Sequence, residues 1–322
     1  RLVGGSYAAG KRFLLGKGGA AHVVLEDSAV LLFASGCATT IGDEYYGTGT
    51  VDVVSGEIRL PTGGFWLNLG AASAYTKGFG RLNLKDGRIV SAAGATESEN
   101  GIYVGQSGYG EMNVSGGSVD VPNVVLGRWE GAGDPAWRST LNISGGSVMA
   151  RRVSVSSHTG RYGDVNLTGG TLATAALTGG NGEANLLSDG GTLVTHAATA
   201  KNADWIGGFT TAQIGVRGLT LNVTRDAQAS QSFADASAGG GTLTKTGSAE
   251  LTLTGVSSHA QTVVAGGRLA VAAAGGNPSG AFTVVNGAEL AFSGAHEIGG
   301  LTLGDAASAG VLAFVPGETL TV

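Results

Sequence analysis

Apolar and polar residues alternate along most of this chain in short runs, and the runs break again and again at a pair of glycines. The phrase reads LNLKDGRI at 82–89, MNVSGGSV at 112–119, LNISGGSV at 141–148 and VNLTGGTL at 165–172, with looser copies VDVVSGEI at 51–58 and NLLSDGGTL at 185–193. Alternation with period two is the signature of a half-buried strand, and a glycine pair after it marks a tight turn. The second glycine or its equivalent falls at Gly56, Gly87, Gly117, Gly146, Gly170 and Gly191, so the interval shrinks from 31 residues (56 to 87) to 21 (170 to 191). A unit this short cannot bury an apolar face alone and must stack on its neighbours. Between glycine phrases lie further short strands such as IYVG and VVLG, giving three strands per turn with tight corners. The pattern predicts an all-β, elongated, right-handed parallel β-helix (β-solenoid), the hand following the crossover bias of parallel strands. No apolar stripe of helical period runs beyond two turns.

Parity fixes which residues face outward. In Leu141-Asn142-Ile143 the apolar pair shares one face and Asn142 takes the other; Asn83, Asn113 and Asn166 occupy the same place, and Asp52 stands there in the earliest copy. If successive coils stack in register at about 4.8 Å, these asparagines form an outward ladder whose amides pass hydrogen bonds from coil to coil. Asn185 sits near the row, but its NLL context disturbs the register. The turn positions expected to hold the corners are Gly87, Gly116, Gly117, Gly145, Gly146, Gly169, Gly170, Gly190 and Gly191.

Composition narrows the function classes. Of 322 residues 59 are glycine and only 5 proline, without a Gly-X-Y period, which excludes collagen. Apolar residues make up 42 % and charged residues 13 %, so disorder does not fit. A net charge of −5 with no basic run longer than Arg151-Arg152 argues against nucleic acid as a partner. The single cysteine, Cys37, excludes an intrachain disulfide framework. No span approaches 18 consecutive apolar residues, so the chain is not expected to span a membrane. The opening Arg1-Leu2-Val3-Gly4 has no initiating Met and reads as a processed product or an excised segment.

Four stretches differ in pattern: irregular coils over 1–101, regular SGG coils over 102–200, transitional coils over 201–236, and a second repeat over 237–322. In the last, GGGTLTKTGSAELTLTG is followed by TVVAGGRLAVA and FTVVNGAELAFSG. This stretch resembles the passenger-associated β-strand repeat of bacterial autotransporters, and the SGG phrases resemble the repeats of other glycine-rich bacterial surface β-solenoids. The resemblance implies an extracellular or bacterial cell-surface location and a stalk, adhesin or scaffold role.

Catalytic chemistry is not legible. His22, His158, His196, His259 and His296 form no HxH or HExxH pattern and read as surface or turn residues, and no metal or cofactor is expected. A polysaccharide lyase or hydrolase would need paired acids, whereas Glu57, Asp86, Glu111, Asp120, Asp164, Glu183 and Asp189 are scattered. Candidate binding residues are Trp129 and Trp137, which bracket the insertion RWEGAGDPAW, together with Tyr45, Tyr46 and Tyr109 near turns. They would suit a glycan or cell-surface ligand. Neither end reads as a polar cap, so self-association through the end coils, head to tail, is the expected partnership.

Overall fold

The computed structural model describes residues 1–43, 46–73, 76–95, 100–128, 135–236, 240–272, 280–304, 309–314 and 320–322. Its described strands pair in parallel apart from one small hairpin, Ala72–Ser73 with Thr76–Lys77. No helix occurs among the described residues. The fold is the right-handed parallel β-solenoid that the alternation predicts, and it divides into two compact units, one of 1–172 with 179–185, the other of 173–178 with 186–322.

Each coil of the first unit has three faces. The first is built from Leu2–Val3, Ala20–Glu26, Thr48–Val53, Phe79–Leu84, Tyr109–Val114, Ser139–Ile143 and Tyr162–Leu167. The second runs through Ser6–Ala9, Val30–Phe33, Glu57–Leu60 and Arg88–Ser91 into the opening halves of Ser118–Leu126 and Ser147–Val155. The third stacks Arg12–Lys17, Ala38–Asp43, Phe65–Leu69 and Asn100–Val104 onto the closing halves of the same two strands. Register holds residue by residue, so each inward position becomes an apolar column. Val51, Leu82, Met112, Leu141 and Val165 form one, and Ile58, Ile89, Val119 and Val148 another, all buried. Burying one such side chain contributes about 1.5–3 kcal/mol, and each coil adds several.

Two corners depend on glycine for different reasons. At the turn leaving the first face, Gly146 adopts φ +65°, while a Cβ on Gly145 would sit 2.3 Å from the Ser115 carbonyl oxygen of the coil before. The corner entering the first face is tighter. Gly42 and Gly70 end third-face strands at positive φ, and Gly49, Gly80 and Gly110 stand in register just inside the next strands. Backbone lies directly on backbone there: a Cβ on Gly80 would approach the Ile41 oxygen to 2.1 Å and the Gly70 nitrogen to 2.4 Å.

The second unit keeps two faces throughout. Gly191–Thr195, Leu219–Asn222, Thr242–Thr246, Gln261–Val264, Ala281–Val284 and Gly300–Leu303 form one. Ala203–Gly207, Ala227–Ala229, Glu250–Leu253, Arg268–Val271, Glu289–Phe292 and Val311–Phe314 form the other. Its third side thins out: Thr211–Ile214 pairs with Ala234–Asp235, and Ala234 then makes a single bridge to Ser258. Trp205 is buried inside this unit and donates its indole N–H to the Thr174 carbonyl at 2.9 Å.

Candidate functional site

The first face of the first unit carries the densest outward chemistry. Asn83 Nδ2 donates to Asp52 Oδ1 at 2.7 Å, Asn113 Nδ2 to Asn83 Oδ1 at 2.8 Å, Asn142 to Asn113 at 2.7 Å and Asn166 to Asn142 at 2.8 Å. Every link points the same way, from each coil to the one before. Asp52 explains the direction, because an ionised carboxylate can only accept. Burial works to raise the Asp52 carboxyl, but the Asn83 hydrogen bond, the Lys85 charge and His22 together hold it below its usual value. Aligned amides polarise one another, so the links reinforce. Asn185 Nδ2 reaches Asp164 Oδ1 at 3.0 Å. Replacing Asn142 with Leu removes two links at a half-buried row; the expected loss is about 1–2 kcal/mol in urea denaturation, larger than for Asn166→Leu.

The charged residues beside this row are engaged with each other. Arg81 bridges to Glu111 (Nε to Oε2, 2.9 Å), and Glu111 Oε1 accepts from Asn113 at 2.8 Å. Arg138 joins Asp164 at 2.5 Å and Glu183 at 2.8 Å. On the second face Glu57 is held by Arg59 and, at 2.7 Å, by Arg88; the Arg59 hydrogen bond is the largest influence keeping its carboxyl below the usual range. In the second unit Arg268 lies between Glu250 and Glu289. A glycosidase needs two carboxyls about 5–9.5 Å apart that can exchange protons with substrate; these carboxylates are instead fixed as acceptors for arginine. Among the described residues no group of three or more His, Cys, Asp and Glu is placed to hold a metal ion.

Of the aromatic candidates, Tyr46, Tyr109 and Trp137 are described, and all three stand at the corner that enters the first face. Trp137 packs on Tyr109, ring centroids 5.5 Å apart, and remains 53 % exposed while Tyr109 is buried. The neighbouring Arg161 is buried and donates to the Ser107 carbonyl at 2.9 Å. Tyr46 stands exposed at φ +59° in an earlier coil. Tyr103 belongs to a separate stack with Trp66 (3.7 Å) beneath the Arg128 guanidinium, on the third face. Tyr45 and Trp129 lie outside the described residues.

Two groups in the second unit escape a reading by motif. Lys245 is 0 % exposed and occupies an inward row between Leu221 and Val264. Its ammonium donates to the carbonyls of Gly247 (2.9 Å), Ala249 (2.6 Å) and Gly266 (2.7 Å), while burial pulls its pKa down to about 8. Parity would have found it, since TLTKT puts Lys245 on the same side as Leu243. His259, read from sequence as a surface or turn residue, is fully buried, with Nε2 2.7 Å from Thr262 Oγ1. The reason is the thinning third side, where the loop carrying His259 closes over the core in place of a strand.

Burial lowers the His259 pKa to about 4, against the opposing pull of Asp235. Between pH 6.5 and 4 the unfolded chain therefore takes up a proton that the folded chain refuses, and stability falls as the pH falls. The shift corresponds to about 3 kcal/mol. Urea titrations at pH 7 and pH 4 check this: the acid-induced loss shrinks by about that amount in His259→Gln.

Among the clefts that the described residues form, three bear on the candidate chemistry. One beside Glu57, Asp86 and Arg88 and one beside His22 and Asp52 are bordered by charge. The third, of about 490 Å³, lies in the second unit between 208–213 and 230–234. No family model, no curated protein and no solved structure matches the chain.

Proposed function

We propose that the chain is an extracellular structural protein, a bacterial surface stalk or a subunit of a head-to-tail fibre, comparable in role to autotransporter passenger domains. The observation that carries this reading is the coil-to-coil pairing of outward polar groups. Ladder amides bond to ladder amides and acids to arginines, so these groups stabilise the stack instead of waiting for a substrate. No described helix is long and apolar enough to cross a membrane.

A second reading, an adhesin, is favoured by Trp137, whose large exposed ring is backed by Tyr109. Negative-stain electron microscopy across a hundredfold range of concentration separates the cases. Filaments that lengthen with concentration support the fibre. Separate particles at every concentration leave the stalk, and separate particles that bind glycans move the assignment to the adhesin.

A further inference from the structure

The cleft in the second unit is an interruption of the coil stack. Between these two coils the other two faces pair over three and four residues, but on this side backbone pairing is confined to Gln213 with Ala234 and Ile214 with Asp235. Upstream the coils part, and a side chain substitutes for the missing peptide partner: the Phe209 N–H donates to Gln231 Oε1 at 2.8 Å, and Gln231 Nε2 reaches the Ser232 carbonyl at 3.1 Å. Gln231 is itself buried, so the parting is held by a fixed amide. Ser230 is likewise tied, its hydroxyl donating to Asp204 at 2.6 Å.

The lining is chemically distinct. Phe209 and Ala212, both almost fully buried, and half-buried Ala234 give a narrow apolar floor, while Gln213 and Ser232 supply exposed amide and hydroxyl groups at the rim. Among the described residues that line it none is titratable, in contrast to the other two clefts, and the nearby Asp204 carboxylate is taken up by Ser230. Gly208 at one end leaves the backbone open to close approach. An apolar floor with neutral donors and acceptors suits a ligand with C–H faces and many uncharged hydroxyls, and disfavours an ion, which would lose hydration without a countercharge.

We propose that the cleft between 208–213 and 230–234 is a binding subsite for a neutral oligosaccharide. The inference rests on the adhesive reading of the surface and assigns the contact to residues of the second unit, whereas Trp137 belongs to the first.

The test uses the whole chain against an immobilised panel of neutral oligosaccharides (glucose-, galactose- and mannose-based) and acidic ones bearing uronic or sialic acid. The strongest binder is then titrated by calorimetry. Ser232→Phe blocks the cleft and Gln213→Ala removes a rim amide; both positions are exposed, and an unchanged thermal melt confirms folding. Expected is binding to neutral members, tenfold or more weaker in both variants and unchanged in Trp137→Ala. Binding that persists in both cleft variants but is lost in Trp137→Ala overturns this inference and leaves the adhesin standing. Binding of acidic members alone also overturns it. If the wild-type chain binds nothing on the panel at millimolar concentration, the inference and the adhesive reading both fall.

Discussion

Gly80→Ala is expected to prevent the first unit from reaching its native fold, or to destabilise it by more than about 4 kcal/mol, the range reserved for severe steric or buried-polar defects. Gly80 does not need positive φ, so the penalty is purely steric. An added methyl would meet the Ile41 oxygen at 2.1 Å, the Gly70 nitrogen at 2.4 Å and the Leu69 Cα at 2.8 Å, all backbone atoms. A side chain could rotate away; a peptide in a stacked coil cannot, because the neighbouring coils fix it from both sides. The contrast is Gly64→Ala. Gly64 has φ +62° but nothing within 4 Å of an added Cβ, so only the left-handed backbone costs, about 1–2 kcal/mol. Urea denaturation of both variants separates the two origins. If Gly64→Ala proves as damaging as Gly80→Ala, close approach is not what makes this corner depend on glycine.

That corner also marks the limit of what the sequence discloses. The glycine pairs after LNIS and MNVS announce their turn because each sits at a constant distance from an alternating strand. Gly42 and Gly70 end their strands less conspicuously, in TIGD and LNLG, and loops of variable length follow, so no constant interval connects them. The asparagine row was legible from parity alone, since a parallel stack in register turns equal parity into equal position. Lys245 obeyed the same rule, but a lysine on the apolar side of a strand contradicts expectation unless one sees the carbonyls awaiting it. His259 left no signal: its burial follows from the loss of a strand on the third side, a property of three coils together. The aromatic residues were visible as residues, yet which of them are covered, as Tyr109 is, and which stay exposed, as Trp137 does, depended on how each corner packs.

Lys245→Met is expected to destabilise the second unit by about 3 kcal/mol or more, despite placing an apolar side chain in an apolar row. Two effects oppose each other. Removing a buried ammonium relieves its desolvation, the same effect that lowers its pKa to about 8. Against this, the carbonyls of Gly247, Ala249 and Gly266 lose their common donor, and each orphaned carbonyl costs about 1–3 kcal/mol. Those oxygens belong to turns of two successive coils, at 247–249 and 266, so they cannot be substituted away along with the lysine. Three charge-assisted bonds therefore outweigh one desolvated charge, and the ammonium acts as a clamp between coils. Lys201→Ala, at an exposed lysine 3.9 Å from Asp226, should change stability by less than about 0.5 kcal/mol. Urea midpoints at pH 7 decide the matter. A Lys245→Met chain as stable as wild type would mean that the turns relax to satisfy their own carbonyls, and that cohesion between these coils lies wholly in their apolar rows.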